Sequence, residues 1–196
     1  MPKYSRFKAF LNKLVLSRLA FLPSFQYNKY NNTLCKAYSM PQPPPKFVAD
    51  VMLGKLARWL RLFGCDVHYD NTAEDSKLLA IALSEKRILL TRDRQLAVRA
   101  GKAGYLVATE GTVNQIAEII EKFAVEPVFY GDICPVCNGE VVPVPKESVR
   151  EDVPRYTYQT HNEFRRCKSC GKVYWEGTHR ELAEHDLERF LNDEDK

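Results

Sequence analysis

The chain has 196 residues, of which 45% are hydrophobic and 28% are charged, a balance typical of a globular protein with a sizeable core. Its net charge of +4 is unevenly spread, because residues 1–49 contain several Lys and Arg but no Asp or Glu. The basic balance therefore belongs to the N-terminal segment, and it is no argument that the remaining chain binds nucleic acid. No apolar run approaches the roughly 20 residues that a membrane-spanning helix needs, which argues against stable membrane insertion.

Residues 1–45 are predicted to form a basic N-terminal extension outside the folded body. Apolar residues recur there at helical spacing with Lys and Arg between them, a pattern typical of a mitochondrial or plastid transit peptide. A simpler alternative is that Met40, which is followed by a Pro-Gln-Pro-Pro-Pro run, is the true start of the protein. We expect a cytoplasmic protein, or an organellar one if residues 1–39 direct targeting.

Residues 46–126 alternate between short apolar runs and amphipathic patterns, which predicts strands alternating with helices. Strands are predicted at residues 47–49, 66–69, 87–91 and 105–108. Helices are predicted at about residues 53–63, after Asp75, at about residues 93–100, and from a capping Thr112 to Phe123. Short links between these elements imply right-handed crossovers and a mostly parallel sheet in an α/β fold.

Acidic residues follow the predicted strands, at the carboxyl edge where an open parallel sheet binds ligands. They are Asp50, Asp70, Asp93 and Glu110, and Asp75 opens a helix on the same side. Carboxylates gathered at one edge repel one another unless a hard cation such as Mg²⁺ or Mn²⁺ lies between them, and such a cation activates water against a phosphodiester. Asp75 could instead cap its helix, and Asp70 and Glu110 could be ordinary loop acids. Asp50 differs from the others, because an acid directly after a buried strand is held near low dielectric.

Basic side chains near this edge suit a polyanionic substrate. Lys55, Arg58 and Arg61 are spaced as a stripe on the polar side of the first helix, and Arg92 and Arg94 flank the acid after the third strand. Cations beside a carboxylate cluster can guide phosphates towards a metal ion. The alternative for each of them is an ordinary solvated helix face.

Two C-x-x-C pairs predict a metal site in residues 127–196, a segment that we expect to form a separate small module. The pairs consist of Cys134, Cys137, Cys167 and Cys170. Four thiolates suit a closed, structural Zn²⁺ site with no open position for chemistry. A redox pair is the weaker alternative.

The same module contains residues for which structural and binding roles both remain open. Its histidines are candidate ligands only if a cysteine fails, and they are His161, His179 and His185. Its interleaved aromatic and basic residues are Tyr156, Tyr158, Tyr174, Trp175, Arg155, Arg165, Arg166, Lys168 and Lys172. This pattern suits base stacking and phosphate contacts, and it equally suits an aromatic core in a small β-module. A charged helix is predicted over residues 180–193.

Residues 47–64, with the sequence FVADVMLGKLARWLRLFG, resemble the opening signature of the Mut-seven C-terminal RNase family, a PIN-like nuclease group. Residues 75–79, 87–94 and 173–179 resemble its later motifs. The resemblance spans about residues 46–180 and implies a PIN-like three-layer fold followed by a zinc ribbon. It also implies that Asp50, Asp75 and Asp93 are catalytic acids that hold Mg²⁺ or Mn²⁺, with Glu110 or Asp70 as a candidate for a further acid.

The function expected from this resemblance is a metal-dependent ribonuclease, most simply an endoribonuclease. In it, the RNA backbone would be bound by Lys55, Arg58, Arg92 and Arg94, with help from the zinc ribbon. The alternative is a non-catalytic RNA-binding or adaptor protein that keeps the fold without the reaction. A redox role through the cysteine pairs comes third. The sequence alone predicts neither the RNA sequence that is cut nor the protein partners or oligomeric state.

Overall fold

The computed structural model describes residues 45–125 and 131–175. Several predictions concern residues outside this part of the chain: the N-terminal extension, His179, His185 and the helix over residues 180–193. The chain divides into two units between Pro43 and Pro44. All the described residues therefore belong to the second unit.

Four short strands form a parallel sheet: β1 (Phe47–Ala49), β2 (Val67–Tyr69), β3 (Ile88–Thr91) and β4 (Gly104–Leu106). Their spatial order is β2-β1-β3-β4, and every neighbouring pair is parallel. All three residues of β1 are completely buried, as expected for an inner strand of a sheet with both faces covered. The predicted α/β fold with a parallel sheet is confirmed.

Helices cover both faces of this sheet: α1 (Gly54–Leu62), α2 (Asp75–Ser84), α3 (Arg94–Ala100) and α4 (Thr112–Phe123). Leu78 of α2 and Leu96 of α3 share a core with Val48. Phe123 of α4 packs edge-on against Phe47, with 5.4 Å between the ring centroids. Since Phe47 and Val48 point to opposite faces, the result is three layers. In the described part of the chain, no helix has both the length and the apolar character needed to cross a membrane.

Two helix starts differ from the sequence prediction. Glu74, rather than Asp75, is the N-cap of α2, and Asp75 lies in the first turn. Gly111, with φ of 75°, is the N-cap of α4, and Thr112 is its first residue. A positive φ favours glycine, so the chain enters α4 through a conformation that a capping threonine adopts poorly. The capping role predicted for Thr112 is therefore wrong.

Gly104 begins β4 directly against helix α3. A Cβ atom at this position would collide with the carbonyl oxygen of Ala97 and would lie 2.9 Å from the Cβ of Ala100. Because the obstacle is helix backbone, Gly104→Ala is expected to lower the free energy of unfolding by about 2–3 kcal/mol. Denaturant unfolding measures the change, with the exposed neighbour Lys102→Ala as control, expected within about 0.5 kcal/mol of the parent. Equal unfolding midpoints for both variants would contradict this close packing.

A second sheet contains three antiparallel strands in the order β5-β6-β7, namely β5 (Val141–Val144), β6 (Phe164–Cys167) and β7 (Val173–Trp175). A 3₁₀ turn at Lys146–Val149 and helix α5 (Arg155–Thr160) connect β5 to β6. Within the described residues, its core consists of two small clusters. One contains Val149, Val153, Phe164 and Val173, with Tyr158 and Trp175 packed against it, and the other contains Cys134, Val141, Cys167 and Tyr174. So few buried apolar groups offer limited stabilisation, which is why such modules commonly need a bound metal.

Candidate functional site

Asp50 lies at the carboxyl end of β1 and is only 6% exposed. Its Oδ1 accepts the N–H of Val51 at 2.6 Å, and its Oδ2 accepts the hydroxyl of Thr91 at 2.7 Å. Its own N–H donates to the carbonyl of Leu90 at 2.9 Å. The adjacent strand β3 thus fixes both its backbone and its carboxylate. Each carboxylate oxygen has a second lone pair, which a cation or water can use.

Thr91 joins Asp50 to Asp93. It is completely buried at the end of β3, and its hydroxyl accepts the backbone N–H of Asp93 at 2.9 Å while it donates to Asp50. Asp93 is the N-cap of α3, because its Oδ1 accepts the N–H groups of Gln95 and Leu96 at 2.6 and 3.2 Å. Thr91 is not among the site residues predicted from the sequence. The sequence pattern that could have indicated it is a hydroxyl residue at the end of an apolar strand, two positions before an acid.

The remaining acids of this edge are engaged by basic side chains. Asp75 is about half exposed and pairs with Arg99 of α3 at 3.0 Å. Asp70 pairs with Lys77 at 2.8 Å. Glu110 pairs with Arg92 at 3.0 Å.

The three candidate catalytic acids share an edge of the sheet but do not form one tight cluster. Within residues 45–125 and 131–175, only the four cysteines form a group of at least three Cys, His, Asp or Glu whose ligand atoms all lie within 4.8 Å of one another. Asp50 and Asp93 are connected through Thr91, whereas Asp75 points to Arg99. A single cation shared by all three acids would therefore require movement of these side chains.

The basic residues predicted to bind the substrate occupy different environments. Lys55 and Arg94 are exposed, and Arg58 is partly buried. Arg92 is about one-third exposed and is held by Glu110. Lys55 and Arg94 are therefore the more exposed cations of this set.

Arg61 does not belong to the solvated stripe that its helical spacing predicts. It is 4% exposed, and its Nε and Nη2 donate to the carbonyl of Val67 at 2.9 and 2.8 Å. Its Nη1 donates to the carbonyls of Val136 and Pro135 at 3.0 and 3.4 Å. The side chain extends past the end of α1 to backbone acceptors in the first cysteine loop, so the stripe assignment is wrong for this residue.

The four predicted metal ligands converge. The Sγ atoms of Cys134 and Cys170 are 3.7 Å apart, and those of Cys137 and Cys167 are 3.4 Å apart. Tetrahedral zinc with Zn–S bonds of about 2.3 Å places its sulfurs about 3.8 Å from one another. The donor set and its spacing therefore fit a metal ion such as Zn²⁺, with all four positions supplied by the protein.

Both cysteine pairs lie in turns of the same geometry. The residue after each pair, Asn138 or Gly171, has a positive φ, of 65° and 74° respectively. Its N–H donates to the carbonyl of the first cysteine of the pair, at 2.9 and 3.0 Å. Asn and Gly are the residues that adopt this conformation most readily. Residues 134–138 are called the first knuckle below, and residues 167–171 the second knuckle.

Groups around the cysteines support metal binding. The hydroxyl oxygen of the buried Tyr174 lies 3.0 Å from the Sγ of Cys134. Burial disfavours the thiolate of Cys167, but hydrogen bonds from the backbone N–H groups of Cys170 and Ser169 and from the neighbouring thiols lower its pKa, whereas burial raises the pKa of Cys137 and Cys170. A lowered pKa favours the thiolate form that a metal requires. Such surrounding hydrogen bonds orient and tune metal ligands.

The other aromatic and basic residues of this module divide between core and surface. Tyr174 is 1% exposed, whereas Tyr156 is 75% exposed. The ring of His161 packs against Trp175, with the centroids 6.5 Å apart. Three cations are in ion pairs at 2.6–2.7 Å: Arg165 with Asp132, Arg166 with Asp152, and Lys168 with Glu140. Part of the aromatic pattern thus serves the core, as one of the two predicted alternatives requires.

The chain was also compared with known proteins. Neither the curated proteins nor the solved structures gave a match. A family model described as the Mut7-C RNAse domain matches residues 45–187. The match includes the parallel sheet, its acidic edge and all four cysteines, and its description points to a nuclease-type, RNA-related function. The resemblance predicted from the motifs is therefore confirmed, and the chain belongs to the Mut7-C RNAse domain family.

Proposed function

We propose that this protein is a ribonuclease that hydrolyses RNA phosphodiester bonds with Mg²⁺ or Mn²⁺ bound at the acidic edge. The observation that carries the proposal is the linkage of Asp50 to Asp93 through Thr91 at the adjacent carboxyl ends of β1 and β3. A nearly buried carboxylate on the same sheet edge as a second acid adds negative charge there that a hard cation neutralises. Membership of the Mut7-C RNAse domain family supports RNA as the class of substrate.

In this proposal Asp50, Asp75 and Asp93 hold the cation, which supplies an activated water and stabilises charge on the phosphate. Asp75 is the acid that must turn towards it. Its present partner is Arg99, and the two side chains are 49% and 52% exposed. Such exposed pairs are worth only about 0–1 kcal/mol, so a cation can replace Arg99 as the partner of Asp75.

The basic residues near the edge bind the RNA backbone in this proposal. Lys55 and Arg94 are exposed and contact phosphates first. Arg92 is paired with Glu110 at 3.0 Å, so a phosphate must compete with that carboxylate. Arg58 is partly buried and supports the same face.

We further propose that the metal of the four-cysteine site is Zn²⁺ and that its role is structural. Four thiolates at tetrahedral spacing select zinc over magnesium, which prefers oxygen ligands. The proposed nuclease domain covers residues 46–126, and the proposed zinc ribbon with its C-terminal helix covers residues 127–196.

An RNA cleavage assay tests the proposed function. The purified full chain, with its zinc content measured, is incubated with end-labelled single-stranded RNA in the presence of Mn²⁺, Mg²⁺ or neither. We expect internal cuts that require one of the two ions, and we expect a DNA strand of the same sequence to remain intact. Cleavage at the same rate without added divalent ion would contradict the metal-dependent mechanism.

A non-catalytic RNA-binding or adaptor role is the second candidate. It is favoured because, among the described residues, the carboxylate oxygens of Asp50, Asp75 and Asp93 do not all lie within 4.8 Å of one another. Calorimetric titration of Mn²⁺ into the zinc-loaded chain separates the two candidates. The ribonuclease requires a saturable Mn²⁺ site that disappears in Asp50→Asn, whereas the adaptor binds RNA equally well with and without Mn²⁺.

A further inference from the structure

The first knuckle lies at the end of the parallel sheet opposite to the acids. Asp50 and Thr91 mark the carboxyl ends of β1 and β3. The knuckle instead contacts Asp66 and Val67, at the amino end of β2.

Val67 is the residue that the knuckle holds most directly. It begins β2, which lies at the edge of the described sheet and pairs there with β1. Its N–H donates to Oδ1 of Asn138 at 2.8 Å, and its carbonyl accepts Nε and Nη2 of Arg61. The backbone groups that an edge strand leaves without a strand partner are thus occupied here by one knuckle side chain and one arginine.

A polar network continues from Asn138 across the amino ends of the strands. Its Nδ2 donates to Oδ1 of Asp66 at 2.7 Å. Arg87, just before β3 and 8% exposed, donates to both oxygens of Asp66 at 2.7 and 3.0 Å and to the carbonyl of Phe47 at 3.2 Å. Although burial alone raises the pKa of Asp66, hydrogen bonds from Arg87 and Asn138 bring it below its ordinary value. One network therefore ties the knuckle to β1, β2 and β3.

Arg61 connects the same strand to the knuckle by a second route. Its guanidinium is nearly inaccessible and divides its donors between Val67 and the carbonyls of Pro135 and Val136. If the knuckle moved away, a buried cation would lose acceptors that water could not easily replace. A zinc–tetrathiolate centre also carries net negative charge, which attracts the guanidinium. Burial lowers the pKa of Arg61, and negative charge at the cysteines of the knuckle opposes this effect.

We propose that the metal-loaded first knuckle is a clamp on the amino ends of β1, β2 and β3, and that it makes the edge strand β2 depend on metal occupancy. Metal binding fixes the turn that carries Asn138 and the two carbonyls, and these groups hold Val67 and Arg61. The proposal requires a metal in the four-cysteine site and is independent of whether RNA is cleaved.

Amide hydrogen exchange of the zinc-loaded full chain tests the clamp. Asn138→Gly removes the side chain and keeps the positive φ, because glycine occupies the equivalent position of the second knuckle. The Val67 amide is expected to exchange at least about tenfold faster in this variant, since it loses its acceptor. The Asp50 amide, which donates to Leu90 inside the sheet, is the internal reference and should keep its rate.

Asn162→Ala is the matched control, because this residue is another asparagine of the module whose side chain accepts only a surface bond from Lys146 in the described structure. It should leave the Val67 rate unchanged. Unchanged Val67 exchange in Asn138→Gly with full zinc content would overturn the clamp.

Dependence on the metal is tested by the rise in melting temperature that zinc produces in the metal-free chain. This rise is expected to be smaller in Asn138→Gly than in Asn162→Ala, because part of the stabilisation passes through the clamp. Equal increases in the two variants would overturn the coupling between metal and sheet. Neither readout depends on RNA cleavage, so failure of the clamp and failure of the proposed function are distinguishable.

Discussion

Asp50→Asn is expected to reduce metal-dependent RNA cleavage by on the order of 10³-fold. The amide carries no charge and is a poor ligand for a hard cation. Both carboxylate oxygens of Asp50 accept hydrogen bonds, from Val51 and Thr91. The asparagine amide has only one accepting oxygen, and its NH₂ group cannot accept the second bond. Stability is therefore expected to fall by about 1–3 kcal/mol. Cleavage rates are compared at a temperature where circular dichroism shows both proteins folded.

A matched Asp→Asn change supplies the control for this experiment. Asp152→Asn alters a carboxylate of the C-terminal module that pairs with Arg166, and it should retain the parent rate. Asp93→Asn tests the second acid with little expected change in stability. Asp93 is the N-cap of α3, and Asn caps a helix about as well as Asp. It should lose cleavage with little loss of stability. Parent rates in both Asp50→Asn and Asp93→Asn would exclude a catalytic acidic edge.

Removal of the metal by Cys134→Ser is expected to unfold the C-terminal module, with a loss of at least about 5 kcal/mol of stabilisation, since structural zinc sites commonly supply more than that. Cys134 is completely buried, and its Sγ lies beside Cys170 and Tyr174. The two apolar clusters among the described residues of the module are too small to replace this contribution. Zinc content and the near-ultraviolet signal of Tyr174 and Trp175 measure the result.

Cys65→Ala is the matched control for this substitution. Cys65 is buried outside the four-cysteine group, and burial raises the pKa of its thiol to about 12. Its removal should leave one equivalent of zinc bound. A Cys134→Ser protein that retains one tightly bound zinc and an unchanged near-ultraviolet spectrum would contradict the closed structural site.

Features with a local signal were predicted well from the sequence. Buried apolar runs identified β1 and β3, and the paired C-x-x-C spacing identified all four clustered cysteines. The acids Asp50 and Asp93 follow their strands as expected. In each of these cases the signal is a short motif: an apolar run, an acid directly after it, or a C-x-x-C pair that is recognisable within four residues.

Features that depend on distant partners were not predicted. Helical spacing placed Arg61 on a polar face, but Nη1 of this side chain donates to two carbonyls more than seventy positions away in the cysteine loop. Thr91 acquires its role only when β1 and β3 become neighbours. Asn138 suits a turn by its φ, and nothing nearby in the sequence indicates that it also binds Val67. Strand order and long side-chain reach determine these contacts.

The hydrogen bonds that Asn138 and Arg61 make to the backbone of Val67 have a consequence for protein that has not bound metal. An uncovered strand edge is a template on which another chain can add its own strand, the first step in many forms of aggregation. Asn138 and Arg61 cover this template at the start of β2. If the four-cysteine site holds zinc and clamps this edge as proposed, metal-free copies are expected to assemble edge to edge more readily than zinc-loaded ones.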